Sequence, residues 1–244
     1  MDTFHGGITI RITASLINAA AVLAGGGVGL LLKGKIPRAL SESIIRAIGL
    51  CVCVIGLFSA LKGDFMLLIA SLALGALTGE LINIDGRLNN LGLFLQKKLS
   101  SKDKNSMFAE GFVTATLLFC VGAMSVVGSI NSGLNNDKSV ILSKSALDCV
   151  SAMVFASTLG AGVLLSAAVI IVYQGSIEFF AGYLHNVLTD ALITQISAAG
   201  GIMILGIGLN MVISDPVIKT KIKVANLLPG LLFAAGYYYL FLNK

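Results

Sequence analysis

Apolar runs of about twenty residues recur along the whole chain, broken by short polar stretches. The first, "ITASLINAAAVLAGGGVGLLL" at 12–32, ends at the basic stretch "KGKIPRALSESIIR". Two more, at about 44–61 and 65–84, are parted by a "KGD" turn, and a fourth covers about 108–130, followed by the asparagine-rich "NSGLNNDK". Residues 139–182 then stay apolar for about twice the length of one crossing, since a helix rising 1.5 Å per residue spans the ~30 Å hydrocarbon core in about 20 residues. The "STLGAG" at 157–162 can divide that run into spans 5 and 6, because glycine weakens helix and permits a turn; a re-entrant or discontinuous helix is the other reading. Span 7 covers about 191–213 and span 8 about 224–242. None of the runs shows the short alternation of a barrel strand, so the pattern predicts an all-α polytopic membrane protein of about eight transmembrane helices, a single transmembrane domain over 1–244.

One stretch is patterned differently. Between spans 3 and 4, Leu88, Leu91, Leu95 and Leu99 recur at helical spacing beside Phe94, with Lys97 and Lys98 opposite. This predicts an amphipathic segment at 86–106 lying in the cytoplasmic interface, closed by Lys102 and Lys104.

Charge orients the spans. Twelve of the 17 Lys and Arg residues fall in 33–46, 84–107 and 214–223. Eight crossings put those three segments on one side, which the positive-inside rule makes cytoplasmic; seven would strand Lys219, Lys221 and Lys223 outside. Both termini are then expected outside, in a bacterial inner membrane. The apolar stretch after Arg11 is too long for the core of a cleaved signal and reads as the first span.

Composition agrees. The chain is 56% hydrophobic and 12% charged, with a mean hydropathy of +0.93, where a soluble domain carries about a quarter charged residues. The net charge of +5 is absorbed by the cytoplasmic loops, and no basic face interleaved with aromatics points to nucleic acid. Cys51, Cys53, Cys120 and Cys149 lie in apolar runs and read as buried small hydrophobes; 51 and 53 point to different sides of a helix and make no metal pair.

Glycine marks the helices further. Gly25/Gly29 and Gly75/Gly79 are G-x-x-x-G pairs, suited to close helix packing in lipid, while "AGGGVG" at 24–29 leaves open an unwound segment whose backbone around Gly26 ligates an ion or solute. "RAIGLCVCVIGLFSAL" resembles "SAAGGIMILGIGLNMV", and "LINAAAVLAGGGVG" resembles "VANLLPGLLFAAG", in spans the topology runs in opposite directions, as inverted repeats would.

The candidate chemistry sits at depth. Asp148 lies nine residues into span 5, about 14 Å from its start, with Lys144 one turn before it and Ser145 and Ser151 flanking. A charge there costs about 2.5–3.5 kcal/mol on insertion scales, so it faces protein or a wet cavity. Two readings follow: an ion pair stitching helices together with Lys144 snorkelling outward, or a solute or ion pathway. Glu80 and Glu110, at the cytoplasmic ends of spans 3 and 4, can receive cations or cap and solvate those ends. Asn18, Asn210 and Asn226 can hydrogen-bond between helices or ligate a cation through their carbonyls.

The stretches "LINAAAVLAGGGVG", "LALGALTGE", "LLFCVGAMSVVGSINSG", "SVILSKSALDCVSAMVFASTLG" and "VANLLPGLL", in this order and spacing, resemble the YqgA family of bacterial inner-membrane proteins. That resemblance implies a multi-span inner-membrane protein and, since the family has no assigned substrate, no particular activity.

Transport of a small solute or ion is therefore the expected function, as a secondary transporter or a channel, with a scaffold or assembly partner as the second reading. Its expected partners are the bilayer and that solute, and a homo-oligomer stays open. An enzyme is not expected: His5 and His185 lie away from any nucleophile at depth. No cofactor is implied.

Overall fold

The computed structural model describes residues 12–33, 38–99, 107–184, 187–213 and 221–242. Its helices are α1 (Thr13–Leu32), α2 (Arg38–Ala60), α3 (Phe65–Ile82), α4 (Ile84–Leu99), α5 (Phe108–Cys120), α6 (Ala123–Asn135), α7 (Ser139–Leu159), α8 (Gly162–Phe179), α9 (Ala181–Leu184), α10 (Asp190–Val212) and α11 (Pro229–Tyr237). A 3-10 turn, Val224–Leu227, precedes α11 and a π-helical turn, Tyr238–Leu242, follows it. Among the described residues there is no strand. Seven helical stretches are long and apolar enough to cross a membrane alone, and α5 with α6 makes an eighth if taken together.

Local chemistry sets the boundaries. Asp64 opens α3 by accepting the Leu67 amide at 2.9 Å, and Thr189 opens α10 by accepting that of Leu192. Asn83 closes α3 in the left-handed conformation. Gly160, at φ +90°, makes the turn between α7 and α8, so the 139–182 run is two spans. Pro229 stands at the start of α11, where its missing N–H is harmless.

Lipid supplies no hydrophobic force between helices, so packing rests on close approach through small residues. A Cβ on Gly25 or Gly29 would strike the Cys149 or Met153 carbonyl of α7, so these two helices touch backbone to backbone. Gly75 and Gly79 similarly meet Gly230 and Asn226. On α2 and α10 the fit is reciprocal: Gly49 meets Gly208 and Gly56 meets Gly201.

These pairs also give helix directions. Rising numbers on α1 match rising numbers on α7, so those helices run parallel; α2 with α10 and α3 with α11 run antiparallel. Gly162 meets Phe108 at one end of α8, while Gly133 meets the Glu178 carbonyl at the other. The α5–α6 pair thus travels the full length of α8 in the same direction, and is one broken crossing, not a re-entrant loop. Every relation fits eight alternating crossings.

The helices form two groups. In one, α1, α7 and α8 pack together with α5 and α6; in the other, α2 packs on α10 and α3 on α11. A shared apolar core, with Val22, Phe119 and Phe155 from the first and Val52, Met203 and Ile207 from the second, joins them. Outward-facing Phe58, Leu81 and Leu240 are exposed, as lipid-facing side chains are.

Several expectations need correction. The 108–130 span is not continuous: it bends by 59° at Val121–Gly122 and extends through Asn135, so much of the asparagine-rich stretch is helix. Of the two readings of 24–29, helix packing holds and the unwound segment does not: α1 runs unbroken there, with Gly25 and Gly29 against α7. Of the cysteines, Cys120 is buried but Cys51 is exposed on the outer face of α2. The segment at 86–106 is helical over 86–99, with exposed Leu91, Leu93 and Phe94 while Leu88 faces the core; Lys102 and Lys104 lie outside the described residues, as do His5, His185 and Lys219.

Candidate functional site: a buried polar network beside a broken helix

Three helices place polar side chains at one depth. On α7, Lys144 and Asp148 stand one turn apart and are each only 6% exposed. The Lys144 ammonium donates to Asp148 Oδ2. From α1, Asn18 Nδ2 donates to the same oxygen at 3.0 Å and to Gln174 Oε1 of α8 at 3.1 Å. Asn18 and Gln174 are wholly buried. Snorkelling is excluded for Lys144, because the carboxylate and the neighbouring Phe119 ring, 5.8 Å from Nζ, hold it inside.

One turn beyond Gln174, Glu178 occupies the opening of α1. Its carboxylate accepts the Ala14 and Ser15 amides at 3.2 Å each, the Ser15 hydroxyl at 3.1 Å and the Ser132 hydroxyl of α6 at 2.5 Å. The first amides of a helix have no partner within it and its dipole is positive there, so this buried carboxylate is stabilised without a cation. Hydrogen bonds thus run from Gln174 through Asn18 and Asp148 to Lys144, and the cluster around Glu178 lies one turn further along α1 and α8.

At Lys144 the run meets the break in span 4. Gly122 has φ +152° and ψ 153°, a conformation reserved to glycine, and it separates α5 from α6. The Val121 amide closes on the Leu117 carbonyl at 2.9 Å, and the Ser125 hydroxyl crosses the gap to the Phe119 carbonyl at 2.9 Å. The carbonyl end of α5, which favours positive charge, therefore terminates inside the protein, and the ring of its penultimate residue, Phe119, faces the Lys144 ammonium. Among the described residues, Asn18 Oδ1, Gln174 Nε2, Ser129 Oγ and Thr116 Oγ1 are buried with no protein partner. Buried polar atoms are nearly always paired, so these four are the exceptions that call for a reason.

A cleft of about 210 Å³ opens at the end of the molecule that carries most of the basic residues, where α4, α5, α10 and 221–225 meet. Asp85, Asn89, Glu110 and Asn210 line it, and it deepens along α5 past Thr114 to Leu117 and Met211. Its floor at Leu117 is one turn short of Cys120. Lys221 donates to Glu110 at 2.7 Å, and Lys223 to Glu80 at 2.5 Å. Hydrogen bonding to Glu80, then its charge, raises the Lys223 ammonium above its usual range. Asn226 ties Glu80 to the Asp85 amide, and Asn210 holds the Ile222 backbone through both its amide atoms, at 2.8 and 2.9 Å.

The sequence candidates thus separate into two places. Asn18, Lys144 and Asp148 form the buried network; Glu110 and Asn210 line the cleft, and Glu80 and Asn226 reach it only through the lining residues Lys223 and Asp85. Glu80 and Glu110 are already engaged by lysines. Ser145 is buried but bonds its own helix at the Ile141 carbonyl, and Ser151 is half-buried, so the four-residue stripe reduces to Lys144 and Asp148. Gly26 packs near Leu164 of α8 and exposes no backbone. No cluster of three or more His, Cys, Asp or Glu suited to a metal occurs among the described residues. Sequence reasoning missed Gln174, Glu178, Ser15 and Ser132, although Gln174 and Glu178 repeat the one-turn polar spacing within an apolar run that marks Lys144 and Asp148.

Residues 13–239 match the family model described as "Protein of unknown function (DUF554)". The chain is 34% identical over 224 residues to the uncharacterized membrane protein YdfK of Bacillus subtilis (strain 168), covering 89% of this chain and 92% of that protein. It is 30% identical over 229 residues to the uncharacterized protein YqgA of Escherichia coli (strain K12), covering 91% and 94%. No solved structure matches it. The chain belongs to the DUF554 family, a family of membrane proteins, in agreement with the resemblance read from its motifs.

Proposed function

We propose that this DUF554 protein is a transport protein of the bacterial inner membrane, a secondary transporter or channel that carries a small solute or ion past Asp148. One observation carries the reading. A buried polar network from Gln174 to Lys144, with Glu178 one turn beyond it, ends at a helix broken inside the membrane, and a cleft from the opposite side stops one turn away. Backbone broken at depth is tolerated only within protein or along a water-filled path, and transporters use such breaks to bind cargo near the midplane. Leu117 and Phe119 separate the cleft from the network, so the conformation described is closed between them. The cleft takes its walls from both helix groups, α5 from one and α10 from the other, so a small rotation between the groups would open or shut it. The antiparallel glycine contacts of α2 with α10 support an inverted-repeat origin.

Purified protein in liposomes, offered a panel of ions and small metabolites, is expected to show flux that Asp148→Asn abolishes while the protein still folds. Flux indifferent to that substitution removes Asp148 from the path; absence of flux across the panel in active-orientation controls counts against transport.

The mutual satisfaction of Lys144 and Asp148 favours a second reading, a membrane scaffold without transport, whose docking surface would be the exposed Leu91, Leu93 and Phe94 of α4. A stoichiometric partner lost on replacing those three residues with serine would support it.

A further inference from the structure

We infer that the network around Asp148 is a site for a monovalent metal cation, and that the Lys144 ammonium is its built-in competitor. The inference rests on the transport reading and names its cargo class or coupling ion. Both hydrogen bonds to Asp148 arrive at Oδ2, one from Lys144 and one from the Asn18 amide nitrogen. Asn18 Oδ1, fully buried, has no partner, and Gln174 Nε2 beyond it has none either. The two amides are thus turned to serve an anion already neutralised by a lysine. A half-turn of the Asn18 amide brings its orphaned oxygen to the carboxylate and its nitrogen away. Asp148 and Asn18 then present oxygen alone, the ligand type of hard cations.

The charge of the site selects valence. Once Lys144 withdraws, one carboxylate remains in the network, because Glu178 is held by the amides of α1 and two hydroxyls. One negative charge with neutral carbonyls matches a single positive charge. Calcium and magnesium call for more oxygen ligands or several waters, and the described residues hold no acidic cluster to supply them.

Lys144 is held by more than Asp148. Its ammonium lies 5.8 Å from the Phe119 ring centroid, and Phe119 is the penultimate residue of α5, at the carbonyl end beside the break. Ring face and helix terminus both attract a cation. An ammonium displaced from Asp148 by a metal ion would keep these two attractions.

The test is thermal unfolding of purified protein in detergent, in sodium, potassium or lithium chloride against choline chloride at equal ionic strength, with magnesium chloride as a further arm. A ligand that binds only the folded state raises the midpoint as its concentration passes its Kd. Wild type is expected to respond weakly. Lys144→Met should be destabilised in choline and restored by one alkali cation with an apparent affinity at least tenfold tighter than wild type, whereas Asp148→Asn should lose the response. Where Asp148→Asn fails to fold, Asn18→Leu, which keeps the carboxylate and removes the orphaned oxygen, should weaken the response at least tenfold. A Lys144→Met protein indifferent to all alkali cations, or rescued better by magnesium, overturns the inference. Flux without any cation-specific shift would leave transport standing and remove this site; a shift without flux would do the reverse.

Discussion

The ion pair on α7 permits a charge-deletion cycle with a large expected signal. Lys144 and Asp148 are each 6% exposed and bond each other, so removing either strands the other in a dry interior. Breaking a buried pair from one side costs about 3–5 kcal/mol. At about 1.4 kcal/mol per factor of ten, Asp148→Leu or Lys144→Met alone should lower the folded-to-unfolded ratio at least a hundredfold. The double variant leaves no unpaired charge. Asn18 loses one of its two bonds but keeps Gln174 Oε1, a net loss of about 1 kcal/mol, and both new residues are good helix formers. The double variant should therefore lie within about 2 kcal/mol of wild type, giving a coupling energy of at least about 4 kcal/mol. Equilibrium unfolding in mixed micelles without added alkali cation, followed by helical circular dichroism, measures all four corners. Single variants that lose less than about 1 kcal/mol would mean that water reaches the pair, and the burial argument would be wrong.

Two further outcomes follow from the packing and the surface ion pairs. Gly29→Val, whose side chain would meet the Met153 carbonyl, should destabilise by about 1–3 kcal/mol in the same unfolding assay, while Gly27→Ala, with open space around it, should be neutral or gain up to about 1 kcal/mol from helix propensity. Because Glu80 raises the Lys223 ammonium above its unfolded value, the pair's contribution is complete below the unfolded value and is lost as pH rises through the folded one; a strongly alkaline unfolding series should show this loss in wild type and not in Glu80→Gln.

Much of the architecture is legible from hydropathy because each crossing must bury its own backbone bonds, and the basic loops then fix the count. The break at Val121–Gly122 is not, since glycines such as those within "LLFCVGAMSVVG" are common in continuous membrane helices. Only the crossing of α7 and α8 against it, with Ser125 serving the Phe119 carbonyl, makes the interruption stable. At Gly25–Gly27 the sequence offered both close packing and an unwound segment; the α7 backbone, lying against Gly25 and against Gly29 one turn on, decides for packing. At the site, depth and spacing identify Lys144 and Asp148, whereas the link from Asn18 to Gln174 depends on which helices become neighbours, and no periodicity within one span encodes that.

The way Glu178 holds the opening of α1 has a bearing on biogenesis. The residues it fastens, Ala14 and Ser15, leave the ribosome 164 and 163 positions ahead of it. At about 5–20 residues per second, the first crossing waits roughly 8–33 seconds for its clamp. Translocon insertion must therefore tolerate an unfastened α1 until α8 has been made.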